Sequence, residues 1–367
     1  MRRSTQTVER RFFFAFLASF CGNHFRLKVL ILKPSSLGDV VQALPLLRLL
    51  KQHRPDAEIH WWLAAELLPL LEGDADIARL IPFERKRWRS PAYWPQGLAQ
   101  IQGLRAARYD WVIDLQGLAR SALFAWLADG AFTVGLELER EGAHLAYDLA
   151  VPRPKDNSHA VDWYLAVARA LGIPVRDGFD WLPPRAEAAA LAEAKWPHNR
   201  ARWLGINPGA RWDNKRWPAE HFAELVRQLA AHDASFRFAI FGGSGDWSLA
   251  ETIRRAAPDR CENFAGRTAL PELIELLRRC ELLVTNDTGP MHLAAALRKP
   301  VVSLFGPTRP DQTGPYGQEV FALRHPLPCA PCMKSRCAWA EPFACLRGIS
   351  AASVAEAVTA RLGSGAR

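Results

Sequence analysis

The sequence predicts an α/β protein organised as two parallel-sheet halves, and three observations lead there. Continuous apolar runs of strand length alternate with helix-length stretches, the pattern of right-handed crossover units. The alternation breaks off in a polar, Pro-rich region and then restarts. The chain has 367 residues, more than one hydrophobic core usually organises.

Leu27 to Lys33 (LKVLILK) is apolar throughout and bounded by turn residues, as a strand buried on both faces requires. A helical stretch from Val40 to Gln52, a strand from Glu58 to Leu63, a strand from Trp111 to Leu115 and a helix from Leu118 to Asp129 follow. Around Val151 to Asp156 the chain turns polar, and a helix from His159 to Leu171 leads into Pro183, Pro184 and an Ala-rich stretch. The pattern then restarts with strands at Trp203 to Asn207, Phe236 to Phe241, Glu281 to Asn286 and Val301 to Phe305. The boundary falls between Pro174 and Arg200. We divide the chain into an N-terminal extension (1–26), a first domain (27–180), a linker (181–200), a second domain (201–350) and a C-terminal helix and tail (351–367).

The apolar share of 49% and charged share of 23% belong to a folded globular chain. Lys and Arg outnumber Asp and Glu by 47 to 38, which predicts an anionic partner: nucleic acid, a membrane surface or a phosphorylated substrate. Fourteen Trp suit bilayer interfaces and sugar faces, where one side is apolar and the other wet. The apolar run Phe12 to Cys21 is shorter than the ~20 residues a membrane span needs, and it reads as an extension rather than an export signal. Seven Cys, an odd number, point to a reducing compartment. A nucleic-acid enzyme fits the charge but not the loops, which contain no Walker A sequence and no aromatic-rich RNA-binding motif.

In open α/β sheets ligands collect beyond the carboxyl ends of the strands, so the loops there are the candidates. Pro34-Ser35-Ser36-Leu37-Gly38-Asp39 offers hydroxyls, a Gly for close backbone approach and an Asp at a helix start, which can bind a polar ligand or cap the helix. Asn207-Pro208-Gly209-Ala210-Arg211 runs on to Lys215 and Arg216 between aromatic rings; Lys215 is either a solvated lysine or a fixed cation for a diphosphate. Gly242-Gly243-Ser244-Gly245-Asp246 is a tight, small-residue turn that lets a ligand approach backbone amides. Most informative is Thr285 to Leu297 (TNDTGPMHLAAAL). There Thr288 or Gly289 can cap, Pro290 sits in the first helical turn, and the helix start offers N–H donors and a positive dipole end to a phosphate. Gly306-Pro307-Thr308 should line the same cleft.

Taken together, SSLGDVVQALPLL, DLQGLARSAL, NPGARWDNKRWP, FAGRTALPELIELL, NDTGPMHLAAAL and SLFGPT, in this order from Leu27 to Tyr316, resemble the motifs of the ADP-heptose lipopolysaccharide heptosyltransferases, glycosyltransferase family 9. The resemblance implies a GT-B fold: two Rossmann-like, doubly wound parallel-sheet domains facing across a cleft. It implies inverting transfer from ADP-heptose, held mainly by the second domain, to the lipopolysaccharide core, held by the first, with no cofactor required. By matching positions, Asp39 becomes the base and Lys215 the phosphate-binding lysine. Gly209, Ala210, Asp246, Asp287, Thr288, Gly289 and His292 join the donor site. Ser36, Gly38 and Gln116 fall on the acceptor side.

The segment Arg85-Lys86-Arg87-Trp88-Arg89, with Arg120 and Arg140, resembles the acceptor-side basic residues of the heptosyltransferase I branch, although a charge run is also a common solvated face. Cys329, Cys332, Cys337 and Cys345 resemble the heptosyltransferase II and III branches; they are either a structural zinc site or reduced thiols. The acceptor sugar, Kdo or a first heptose, stays open. The resemblance also places the chain in the cytoplasm, peripheral on the inner membrane. A nucleotide-sugar epimerase of similar shape and a non-catalytic carbohydrate- or lipid-binding protein are the rival readings.

Overall fold

The computed structural model describes residues 26–84, 90–138, 140–197 and 201–364. Nearly all of the extension predicted at 1–26 lies outside these residues, as do Lys86, Arg87 and Arg89 and the side chain of Arg140. The chain divides into two compact units, Met1–Phe179 and Asp180–Arg367.

In the first unit six strands form one sheet: β1 (Lys28–Leu32), β2 (Glu58–Ala64), β3 (Arg79–Phe83), β4 (Trp111–Asp114), β5 (Phe132–Leu136) and β6 (Leu149–Val151). Their order is β3-β2-β1-β4-β5-β6, and every neighbouring pair is parallel. Val29 to Leu32 are wholly buried because helices cover both faces of the sheet. The helix after β1, α1 (Leu37–His53), is buried around most of its surface, from Val40 to Leu50. It packs on α4 (Ala160–Ala170). Its one buried charge, Arg48, is forked onto Asp74 at 2.7 and 2.5 Å, and burial is tolerable only with such pairing. On the other side of the sheet α2 (Trp94–Ala106) and α3 (Ala119–Leu127) close a core of Leu30, Leu32, Trp62, Val112, Leu104 and Phe124.

The second unit repeats the arrangement with β7 (Arg202–Asn207), β8 (Phe236–Ile240), β9 (Cys261–Asn263), β10 (Leu282–Asn286), β11 (Val301–Phe305) and β12 (Ala322–Arg324). The order β12-β11-β10-β7-β8-β9 is the first unit's order seen from the other edge. Its helices are α5 (Ala186–Lys195), α6 (Ala219–His232), α7 (Trp247–Arg254), α8 (Leu270–Arg279), α9 (Gly289–Ala296) and α10 (Ala351–Ser364).

Two segments differ from the sequence reading. The stretch 181–200 was expected as a linker, but α5 within it packs on α8 and is tied there by Lys195 Nζ to Glu272 Oε2 at 2.6 Å. Its Ala-rich sequence favours helix once the prolines before it are passed. The C-terminal helix is likewise part of the second unit: α10 packs on α6 and buries Val354 and Val358 in the main core. Among the described residues no helix is long and apolar enough to cross a membrane.

In both sheets the chain winds outward in opposite directions from a central pair, β1/β4 in the first unit and β7/β10 in the second. The crevice beyond the carboxyl ends of such a pair is where an open sheet binds ligands.

Candidate functional site

At the first unit's switch point β1 ends at Leu32, and the chain turns through Lys33 and Pro34 to Ser36, the N-cap of α1. Ser36 donates both its backbone N–H and its hydroxyl to Asp39 Oδ2, each at 2.7 Å. Asp39 thus closes the capping box of α1 as well as standing in its first turn. Ser36 is exposed, Asp39 half-buried and Gly38 buried.

Behind Asp39 lies Lys33, only 4% exposed. Its Nζ donates to the Leu115 carbonyl at 2.9 Å, and it sits 5.2 Å from the ring centre of Tyr164 on α4. Burial, the largest single influence, pulls this ammonium down. The fields of Tyr164, Asp39 and Asp114 together outweigh it and hold Lys33 above the ordinary lysine value. It therefore stays a cation behind the loop.

At the end of β4, Asp114 is fully buried and its Oδ1 accepts the amides of Gln116 and Gly117 at 2.8 and 3.2 Å. Tyr147 donates its hydroxyl to Asp114 Oδ2 at 2.8 Å. Burial pushes this carboxyl up against the pull of those donors. Tyr147 reaches it across Gly135, where a Cβ would meet the phenol ring at 2.3 Å, so only glycine lets β5 pass under the ring. Gln116 is held by its backbone, while its Oε1 is buried with no hydrogen-bond partner.

At the second unit's switch point β7 and β10 deliver two loops side by side. Asn286 Nδ2 donates to the Pro208 carbonyl at 2.7 Å, and Asn286 Oδ1 accepts the Trp217 amide at 3.1 Å, so the loop after β7 is fastened to the end of β10. Lys215 Nζ meets Asp287 Oδ2 at 2.6 Å and lies 4.7 Å from the Trp212 ring centre. Thr308, beyond β11, donates its hydroxyl to the same Asp287 oxygen at 2.6 Å. Asp287 is 7% exposed, which makes this pair and its hydroxyl a fixed, water-poor cluster. A cavity of about 460 Å³ lies beside it, lined by Gly306, Thr308, Arg324 and His325 among others.

The helix α9 starts directly after Asp287. Thr288 takes the N-cap position in extended backbone, and Pro290 stands in the first turn. Thr288 is one of the two cap positions that the sequence offered, but its side chain makes no capping bond. Pro290 has no N–H and the Met291 amide donates to the Thr288 carbonyl at 3.1 Å, which leaves the Gly289 amide and the positive end of the helix for a ligand. His292, on the first turn's buried side, is 9% exposed.

Asp246 closes the third side. Its Oδ2 accepts the Gly243 amide at 3.0 Å, and a Cβ at Gly209 would lie 2.5 Å from that oxygen. Arg216 reaches Asp246 Oδ1 at 3.8 Å and donates to the Ala210 carbonyl at 2.9 Å. Gly209→Ala should therefore displace Asp246 and weaken the nucleotide diphosphate expected from the sequence, ADP, about tenfold, at a stability cost of ~1–3 kcal/mol. Titration calorimetry beside a melting curve checks this, and unchanged ADP affinity would remove Gly209 from the site.

The family model described as glycosyltransferase family 9 (heptosyltransferase) matches residues 98–341. The chain belongs to glycosyltransferase family 9. Lipopolysaccharide heptosyltransferase 1 of Pseudomonas aeruginosa is 31% identical over 325 residues, covering 85% of this chain and 88% of that relative. Lipopolysaccharide heptosyltransferase 2 of Escherichia coli K12 is 30% identical over 312 residues, with 81% and 88% covered. Among solved structures, an E. coli heptosyltransferase with ADP-2-deoxy-2-fluoro heptose matches with TM-score 0.73 at 27% identity, covering 91% of this chain and 99% of that one. The fold is accordingly GT-B, one doubly wound sheet to each unit.

Within this family 9 enzyme the residues singled out from sequence fall into two groups. Gly209, Ala210, Lys215, Asp246, Asp287, Thr288 and Gly289 gather at one switch point, while Ser36, Gly38, Asp39 and Gln116 gather at the other. Arg120 is exposed on α3. Thr308 lines the site as expected of Gly306 to Thr308, whereas Lys33, Asp114 and Tyr147 were not singled out. A lysine ending a strand reads as solvated, and an Asp in an apolar run reads as a strand end. Cys329, Cys332, Cys337 and Cys345 are half-buried and free of disulfides. Burial and then the charges of the other three push the Cys345 thiol up. Even so, no group of three or more such side chains among the described residues is placed to hold a metal ion.

Proposed function

We propose that this enzyme transfers L-glycero-D-manno-heptose from ADP-heptose to the Kdo or first heptose of the lipopolysaccharide inner core, with inversion. The observation that carries the reading is the Lys215–Asp287–Thr308 cluster at the start of α9. It offers a cation, a hydroxyl and the positive end of a helix in one place, which is what a diphosphate needs. The solved relative with a fluorinated ADP-heptose and the lipopolysaccharide enzymes among the relatives support the donor and the acceptor.

The donor binds the second unit and the acceptor the first. The acceptor hydroxyl oxygen attacks the anomeric carbon as the bond to the diphosphate breaks, and the electron pair leaves on ADP. Asp39 takes the hydroxyl proton. A carboxylate is a weak base toward an alcohol, so its proton transfer comes late. Lys215 and the start of α9 stabilise charge on the departing diphosphate. No protein nucleophile enters. The place of action is the cytoplasmic face of the inner membrane, where the nucleotide-linked donor and the lipid acceptor meet.

ADP-heptose incubated with truncated core acceptors, in EDTA and read by mass spectrometry, tests this. Acceptor-dependent ADP release with a heptose added to the acceptor is expected; an unaltered donor overturns the proposal. Lys33 enters the same step through its charge, for a cation behind Asp39 favours the carboxylate. Lys33→Met, if it melts like the unaltered chain, should move the acidic limb of the pH–rate profile up by about one unit. An unmoved limb would detach Lys33 from Asp39.

A further inference from the structure

Between β4 and α3 the chain runs from Leu115 to Ala119, and each amide in that run already has a protein acceptor. Leu115 donates to the Leu32 carbonyl at 3.1 Å, Gln116 and Gly117 to Asp114 Oδ1, Leu118 to Ser121 Oγ at 3.2 Å, and Ala119 to Glu141 Oε2 at 3.0 Å. The backbone of this loop is therefore closed to a ligand. What the loop still offers is the Gln116 side chain. Its Oε1 is buried without a hydrogen-bond partner, a state that costs stability and that a ligand carrying a donor relieves. Gln116 also stands where the chemistry is, for it follows Leu115, whose carbonyl accepts from the Lys33 ammonium behind Asp39.

Residues from beyond β5 brace the loop. Leu138 lies against Gly117, where φ is +67° and a Cβ would come within 2.6 Å of Leu138 Cδ1. Glu141 takes the Ala119 amide. Tyr147 fixes Asp114 from the other side, its hydroxyl on Oδ2 while Oδ1 carries the Gln116 and Gly117 amides. The Tyr147 ring passes over Gly135 of β5, so its own place is set by the sheet. A binding group whose supports are fixed in advance gives up little freedom when the ligand arrives.

We propose that Tyr147 is a positioning residue for acceptor recognition. Acting through Asp114, it holds the loop after β4 so that the Gln116 amide oxygen accepts from a hydroxyl of the acceptor sugar. The acceptor is that of the transfer proposed above, on which this role rests. Carboxylate and phosphate oxygens have no proton to give an amide oxygen, so the group recognised there is a sugar hydroxyl.

The test is titration calorimetry of soluble, deacylated core fragments, one ending in Kdo and one in heptose, into the full chain with ADP bound. Tyr147→Phe keeps the ring over Gly135 and removes the hydroxyl. It should bind the fragment that the unaltered chain prefers about tenfold more weakly, as Gln116→Ala should, with ADP affinity unchanged. The double variant Tyr147→Phe/Gln116→Ala should bind no more weakly than Gln116→Ala alone, because one residue acts through the other. In transfer the loss belongs in KM for the acceptor and not in kcat. Tyr109→Phe is the matched control, since its hydroxyl shares a 2.8 Å hydrogen bond with buried His60 at the opposite end of the strands. It should lower the melting temperature as Tyr147→Phe does and leave fragment binding alone. Glu141→Ala, at an exposed position, should weaken the fragment about threefold, and it decides the matter if Tyr147→Phe fails to fold. Fragment binding by Tyr147→Phe equal to that of the unaltered chain, an equal loss in Tyr109→Phe, or losses that add in the double variant would each overturn the proposal. So would an unaltered chain that binds neither fragment. Fragment binding without transfer would strike the transfer reading and leave the role of Tyr147 standing.

Discussion

Asp39→Ala is expected to lower turnover by about a thousandfold while ADP binds as before, because the residue stands at the first unit's switch point and takes part in proton transfer alone. The substitution also removes the carboxylate that accepts from Ser36, and losing such a cap costs ~1 kcal/mol of helix stability. Asp39→Asn separates the two roles. An amide oxygen still accepts from Ser36 but cannot take a proton, so its melting temperature should return to normal while its turnover stays at the Ala level. Turnover by the Asn variant near that of the unaltered enzyme would make Asp39 a cap and nothing more. Equal loss of turnover and of ADP affinity in the Ala variant would show that the change is not confined to the first unit.

Lys215→Ala is expected to weaken ADP by about a hundredfold, more than one lost contact explains. Lys215 is the cation on Asp287, and Asp287 is 7% exposed at the start of α9. Removing the lysine leaves a buried carboxylate, still held by Thr308, beside the place where the diphosphate must come and repelling the ligand. The double variant Lys215→Ala/Asp287→Asn should therefore bind ADP more tightly than the single one. Calorimetry on both variants decides the matter: ADP affinity unchanged in Lys215→Ala would take the lysine out of the phosphate site. A double variant no better than the single one would instead remove the repulsion from the account.

The switch points were legible because central strands of a doubly wound sheet are apolar on both faces and end abruptly. LKVLILK before Pro34 and LLVTN before Asp287 announce both a buried strand and the loop beyond it. The edges were not. β9 and β12 are three residues each, and β3 carries Pro82 with much of its surface exposed, so neither length nor apolar run betrays them. Pro183 and Pro184 made the next stretch look like a tether, although the Ala-rich helix α5 starts at Ala186, directly after Arg185, and is docked on α8. Asp39 showed its position but not its double engagement, since a capping carboxylate and a reactive one have the same sequence context. Lys33 and Asp114 were missed for a related reason: what distinguishes them is depth and partners, and these arise from α4 and from Tyr147, distant in sequence.

The carboxylate already resting on Lys215 has a bearing on the far end of the catalytic cycle. On the proposed donor site, an arriving nucleotide does not find an idle cation; it competes with a tethered rival that never diffuses away. When the spent nucleotide loosens, that rival returns at once and blocks its recapture. Such an exchange trades some grip for prompt discharge, which suits an enzyme whose second product is a large amphiphile that must also be let go.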